Sequence, residues 1–175
     1  KLITEMREQA TVIAPQIMPQ LTKIFGEYEV FSVEEQLYEN IKDSKTGYNF
    51  KGFIDLVLHT SDGKFHIIDW KTCSWGWDSK KKSDKFITYQ LTLYKKFWCQ
   101  KYGVDPKLVE THFALLKRTA KKNNVEIFRV TSGPRKVENA TRLLTTALIH
   151  ISKQNHVKDR RSCTGCEYRK TEHCK

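Results

Sequence analysis

Two stretches decide the reading of this chain: Gly52-Phe53-Ile54-Asp55-Leu56-Val57 and Ile67-Ile68-Asp69-Trp70-Lys71-Thr72. Each is a short apolar run rich in Ile or Val, the pattern of a strand packed on a core. Each also carries one aspartate at a place where a carboxylate is costly unless paired or metal-bound. Ser61-Asp62-Gly63 between them is turn chemistry, so the runs are predicted to form a hairpin with Asp55 and Asp69 side by side. Strand alternation then puts Asp69 and Lys71 on one face and Trp70 on the other. Two carboxylates and an ammonium at one sheet end suit a hard cation with a charge stabiliser beside it.

Outward from this hairpin, an earlier β-rich run covers Glu29–Tyr38, and the hairpin strands extend over Tyr48–His59 and Lys64–Thr72. Ser44–Gly47 is read as the first turn. Ser83-Asp84 can cap a helix that runs to about Tyr102 and stops at Gly103. Val109–Lys117 and Val125–Thr131 are further strands joined by the basic turn Arg118–Asn124, and a helix from Pro134 to Lys153 follows. At the start, Ile3, Met6, Ala10, Ile13, Ile17, Leu21 and Ile24 have helical spacing, with a break or kink expected near Ala14 because Pro15 and Pro19 intervene. Helix, three strands, helix, two strands and helix make an α/β core around a central mixed sheet flanked by helices.

The 175 residues suit one domain, expected to span 1–175 with a cysteine-rich tail at 160–175. The chain starts at Lys1 rather than Met, so it is also read as a piece of a longer protein. No apolar run approaches the ~20 residues of a membrane-spanning helix, and no membrane partner is expected. A formal net charge of +11 favours a polyanionic partner, because Lys and Arg displace counterions from phosphates. Five cysteines, three of them crowded into the tail, fit an intracellular chain with reduced thiols and a local metal clip better than a disulfide framework.

Gly-Phe-Ile-Asp, then Ile-Asp-Trp-Lys-Thr, then Gln90-Leu-Thr-Leu-Tyr94 resembles the PD-(D/E)XK nuclease superfamily, in particular its RecB-like exonuclease branch. The resemblance runs from about Glu34 to Tyr94 and, through the tail, to Cys174. It implies a restriction-endonuclease-like fold in which Asp55, Asp69 and the Trp70 carbonyl bind Mg²⁺ or Mn²⁺, and Lys71 positions water or stabilises charge at the phosphate. Asp69 stands where many members have Glu. An upstream acidic ligand is common in the family; Glu34 and Glu35 are the candidates, and Glu35 is favoured because it shares the side of Val33 and Leu37 if those face the core. No His precedes His59, so the His that some members carry in an N-terminal helix is either missing or lies outside this stretch of chain.

Gln90 and Tyr94 share a helix face and match the Gln-x-x-x-Tyr element that the branch places near the active site and DNA. Trp75, Trp77, Lys80, Lys81 and Lys82 combine stacking faces with phosphate-binding charge, a pairing suited to a single strand. Cys163-Thr-Gly-Cys166 with Cys174 is a metal signal. Relatives with a 4Fe-4S cluster use such a trio plus a distant upstream Cys, and none precedes Cys73. Three explanations stay open: a ligand before Lys1, a Cys₃His zinc site completed by His173, or a degenerated site. Cys73 and Cys99 read as packing residues.

The expected function is an Mg²⁺- or Mn²⁺-dependent exonuclease that hydrolyses single-stranded or free-ended DNA in repair or recombination, as part of a larger replication or recombination protein or complex. Its expected setting is the cytoplasm or nucleoid, of bacterial or viral origin. An RNA endonuclease of the same superfamily and an inactive nucleic-acid-binding module are the alternatives.

Overall fold

The computed structural model describes residues 2–42, 47–155 and 162–174. In it the expected hairpin forms the middle of a five-stranded sheet. β1 (Tyr28–Asn40), β2 (Asn49–Thr60), β3 (Phe65–Cys73), β4 (Val109–Lys117) and β5 (Val125–Val130) lie side by side in chain order. All neighbours are antiparallel except β3 and β4, which are parallel. A parallel pair needs a long crossover, supplied by α2 (Ser79–Ser83), α3 (Lys85–Tyr102) and a 3₁₀ turn at Pro106–Leu108. α1 (Leu2–Phe25) precedes the sheet and α4 (Pro134–Ser152) follows it. The α/β class and mixed sheet are as the sequence predicts. The turn expected at Ser44–Gly47 falls largely on 43–46, outside the described residues, as do 160, 161 and 175 of the tail.

Local chemistry explains the boundaries. The Asp84 carboxylate accepts the Phe86 N–H at 2.8 Å, satisfying a donor in the first turn of α3. Gly103 ends that helix in the left-handed region at φ 66°, returning its N–H to the Cys99 carbonyl. α2 was not anticipated; Asp78 caps it by accepting the Lys81 N–H at 2.7 Å. The sheet buries both faces. Leu91, Phe97 and Trp98 of α3 pack on Val57, Ile67 and Phe113, and Leu21 of α1 packs on Leu56, Leu58, Ile68 and Ala114. Among the described residues no helix is long and apolar enough to cross a membrane.

The break expected near Ala14 is absent: α1 is one helix from Leu2 to Phe25 with Pro15 and Pro19 inside it. The two prolines are four residues apart and both exposed, so the carbonyls that lose an N–H partner sit on the wet side, where water serves them. The opposite side, with Ile13 and Leu21, stays buried. Packing of that face holds the helix through a costly sequence.

Gly52 lies under the Tyr94 ring. A Cβ there would stand 2.8 Å from Tyr94 Cε1 and 3.2 Å from Phe50 Cε1. Neither ring yields easily, since Tyr94 is buried and Phe50 stacks on Phe97 at 4.3 Å. Gly52→Ala is therefore expected to cost about 1–3 kcal/mol through overpacking. Chemical denaturation checks this; an unchanged midpoint would show that the rings move freely.

Candidate active site

The β2–β3 ladder pairs His59 with Phe65 through to Leu56 with Ile68 and stops there. At that point β2 turns irregular: Ile54 and Val57, three apart, both join the α3-side core, whereas Leu56 and Leu58 join the α1 side. Across the sheet, Glu34 sits between the Val33–Leu56 and Glu35–Ile54 pairs with φ 50°. Beyond the last pair, the backbone N–H of Trp70 has no β2 carbonyl to meet. Asp55 fills the gap: its Oδ2 accepts that N–H at 2.6 Å. The carboxylate serves where a strand carbonyl would have been, which fixes it beside β3.

Asp69 and Lys71 share the α3 side of β3, as alternation requires. Lys71 Nζ lies 2.7 Å from Asp69 Oδ2 and 5.8 Å from the centre of the Phe113 ring. The side chain of Asp69 is 3% exposed and that of Lys71 32%. Oδ2 has this ion pair but no hydrogen bond of ordinary geometry, so the ammonium sits off the lone-pair direction. Burial pushes the Asp69 carboxyl above its usual range; Lys71 opposes this, and the nearby Asp55 charge adds to it. A buried carboxylate with an imperfectly partnered oxygen, next to a second carboxylate, is a donor set that fits a hard divalent cation.

The other predicted residues are placed as follows. Glu35 shares the side of Leu37, but its carboxylate binds Lys101 and the Tyr102 hydroxyl at the C-terminal end of α3. Burial alone would push Glu35 up, yet these partners hold it below the ordinary range. Val33, assumed to face the core with Glu35, is exposed and pairs with Leu56 of the α1 side, whereas Glu35 pairs with Ile54 of the α3 side, the irregular Glu34 lying between them. Among the described residues no third carboxylate stands at ligand distance from Asp55 and Asp69. The Gln90 amide donates to the Tyr94 hydroxyl at 3.1 Å. Trp77 packs inward on Phe113 at 5.2 Å, whereas Trp75 is 71% exposed. Lys80 and Lys81 are exposed, and Lys82 is tied to Glu126, which Lys117 also approaches at 3.4 Å. A cavity of about 840 Å³ lies between α3 and α4 and touches neither Asp55 nor Asp69.

In the tail, Cys163 is half-buried, and Cys166 and Cys174 are exposed free thiols. The Cys166 N–H donates to the Cys163 carbonyl at 3.4 Å, the beginnings of a knuckle. The three sulfurs and His173 do not lie together at ligand distance. Their composition suits a Cys₃His zinc site, and a 4Fe-4S cluster needs a fourth thiolate. Sequence reading missed Glu126 and the group His66, Glu110 and His112. The spacing Glu110-x-His112 on a strand, which puts both side chains on one face, was the available signal.

In EDTA, Asp69→Asn is expected to raise Tm at pH 7. The folded-state pKa of Asp69 is raised, so its burial costs nothing below about pH 3.8, where the folded and unfolded carboxyls are both protonated, and the cost grows as pH rises through that value. The advantage of the Asn variant should therefore vanish on acidification. A lower Tm at pH 7 would mean the Lys71 pair outweighs desolvation.

Comparison with known proteins bears on the fold and the family. No curated protein matches the chain. A crystal structure from Eubacterium rectale described as "Putative exonuclease" aligns at TM-score 0.58 and 15% identity, covering 91% of this chain and 58% of its own. That of SSO0001 aligns at TM-score 0.52 and 17% identity, covering 91% and 66%. The chain thus spans about 58% and 66% of these two proteins, and at such identities the likeness is one of fold. The model of the PD-(D/E)XK nuclease superfamily matches residues 4–171. That match spans nearly the whole described chain: it belongs to the PD-(D/E)XK nuclease superfamily.

Proposed function

We propose that the chain is a divalent-metal-dependent deoxyribonuclease of the RecB-like kind, acting as an exonuclease on single-stranded or free-ended DNA. The observation that carries this reading is the Asp69–Lys71 pair beside Asp55, at the point where β2 leaves β3. Bound between Asp55 and Asp69, with the Trp70 carbonyl available to it, Mg²⁺ or Mn²⁺ would polarise the phosphate and lower the pKa of water. Lys71 is exposed enough to reach solvent and is anchored by Asp69. Its ammonium would orient the attacking water and offset the charge that grows on the phosphate oxygens. Asp55 would hold its orientation through the Trp70 N–H, and the Phe113 ring would limit where Lys71 can swing. Glu35 would need to leave Lys101 and Tyr102 to act as a further ligand.

Trp75, Lys80 and Lys81 are the exposed part of the stacking and charged segment and would take the strand. Trp77 would support them: Lys81 lies 4.8 Å from its ring centre. Gln90 and Tyr94 would flank the substrate from α3. The overall charge of +11 favours a nucleic acid over any neutral substrate. The tail would fold on binding a metal, because its thiols must deprotonate and converge to do so; a 4Fe-4S cluster in a longer protein is the reading adopted, with zinc as its rival.

Lys71→Ala should slow cleavage of end-labelled DNA by at least ~10²-fold and leave DNA binding largely intact, since the ammonium acts in the transition state. EDTA should stop the wild-type chain, and Mg²⁺ or Mn²⁺ should restore it. Near-wild-type turnover in the variant would overturn the mechanism; faster cleavage of a matched RNA would move the substrate. For the tail, anaerobically purified protein should carry iron or zinc that Cys166→Ser releases. Elemental analysis finding the same metal content in both would remove the tail from the metal chemistry.

A further inference from the structure

On the opposite face of the sheet from Asp69, β3 and β4 bring three ligand-type side chains together. His66 and Glu110 are paired neighbours on the parallel strands, and His112 follows two residues after Glu110 on the same face. His66 Nδ1 lies 3.2 Å from His112 Nε2, and Glu110 Oε2 lies 3.9 Å from each of those nitrogens. The longer distances are beyond a hydrogen bond. Metal–ligand bonds of ~2.0–2.1 Å at tetrahedral angles would set the three donors roughly 3.3–3.4 Å apart. The observed triangle brackets that spacing.

The surroundings prepare the group. Thr60 Oγ1 donates its single proton at 2.6 Å to Asp62 Oδ1, an acceptor that Lys64 holds ionised well below the usual carboxylate range. Thr60 can therefore only accept from His66 Nε2, 3.1 Å away. That fixes the tautomer: the proton of His66 is on Nε2, and the lone pair of Nδ1 points at His112 and Glu110. This is the outer-shell orientation that metal-bound histidines carry. Glu110 is divided likewise, with Oε1 held by Arg129 at 3.2 Å and Oε2 left facing both imidazoles. Phe25, at the end of α1, lies against both rings, with centroids 4.8 and 5.0 Å away, and excludes water from that side.

We propose that His66, Glu110 and His112 form a second metal site that takes a borderline-soft divalent ion of the Zn²⁺ type. Two imidazoles and one carboxylate suit Zn²⁺ or Co²⁺ and not Mg²⁺, which asks for oxygen donors and retains its waters. On binding, the metal replaces the hydrogen bond between the two histidines. His112 shifts its proton from Nε2 to Nδ1, so no co-reactant is needed. The ion cross-links β3 to β4 beneath α1, leaving one coordination position for water. His66 and Asp69 are three residues apart, about 10 Å along a strand, and face opposite ways, so this site and the candidate active site load independently.

Co²⁺ titration tests the proposal, read by visible absorption and equilibrium dialysis. The background is the full chain with Cys163, Cys166 and Cys174→Ser and Asp69→Asn, which removes the competing thiolates and a carboxylate of the other site. It should bind one Co²⁺, show tetrahedral-type visible bands without thiolate charge transfer, and rise in Tm with Zn²⁺. Adding Glu110→Gln or His112→Gln should weaken binding more than 100-fold, beyond the roughly 10–100-fold of an outer-shell change. Thr60→Val should fall within that smaller range by freeing the His66 tautomer. Circular dichroism in EDTA verifies folding, and Glu110→Gln carries the test alone should His112→Gln misfold. No bound Co²⁺ in the background, or unchanged affinity in Glu110→Gln, would overturn the site.

Discussion

One hydrogen bond organises the candidate active site: the Asp55 carboxylate accepting the Trp70 N–H at 2.6 Å. A sheet that opens between two strands leaves backbone donors stranded, and a buried stranded donor costs about as much as a lost hydrogen bond. Here a side chain closes the account, and the side chain is anionic. Opening the sheet and installing a carboxylate are thus the same structural event. The irregular Glu34, the alternation skipped between Ile54 and Val57 and the ladder ending at Leu56–Ile68 all surround it.

The neighbouring pair is arranged differently. Asp69 is almost wholly buried and Lys71 is not, so the aspartate sits in a low dielectric while its partner reaches solvent. An ion pair of this kind contributes little net stability, because desolvating the carboxylate offsets the attraction. Its value is positional: the buried carboxylate anchors a partly exposed ammonium at a sheet end. The sheet also separates two environments. The α3 face carries Asp69, Lys71 and the Tyr94 ring over Gly52, whereas the α1 face carries His66, Glu110 and His112 under Phe25. Neighbouring residues of one strand, β3, serve both.

Much of the fold was legible because its signals are local. Ser61-Asp62-Gly63, Asp84 and Gly103 act within a few residues of themselves, and the runs around Asp55 and Asp69 read as strands from their apolar pattern. The Asp69–Lys71 juxtaposition follows from alternation on one strand. What escaped was non-local. Glu35 finds its partners on α3 at Lys101 and Tyr102, far along the chain. Which tryptophan packs and which is exposed depends on Phe113 and Phe128, strands that Trp77 meets only in the folded state. Pro15 and Pro19 promised a broken helix, but burial of Ile13 and Leu21 on the far side decided otherwise. The His66–Glu110–His112 group required the parallel register of β3 and β4, which no short window contains.

The central claim is that Asp55 and Asp69 together hold the catalytic divalent ion. Calorimetric titration of Mn²⁺ into the wild-type chain, Asp55→Asn and Asp69→Asn, with folding verified by circular dichroism, tests it most directly. An amide oxygen binds a hard cation far more weakly than a carboxylate, so each substitution should sharply weaken the Mn²⁺ binding seen in the wild type. Unchanged Mn²⁺ affinity in both folded variants would contradict the claim.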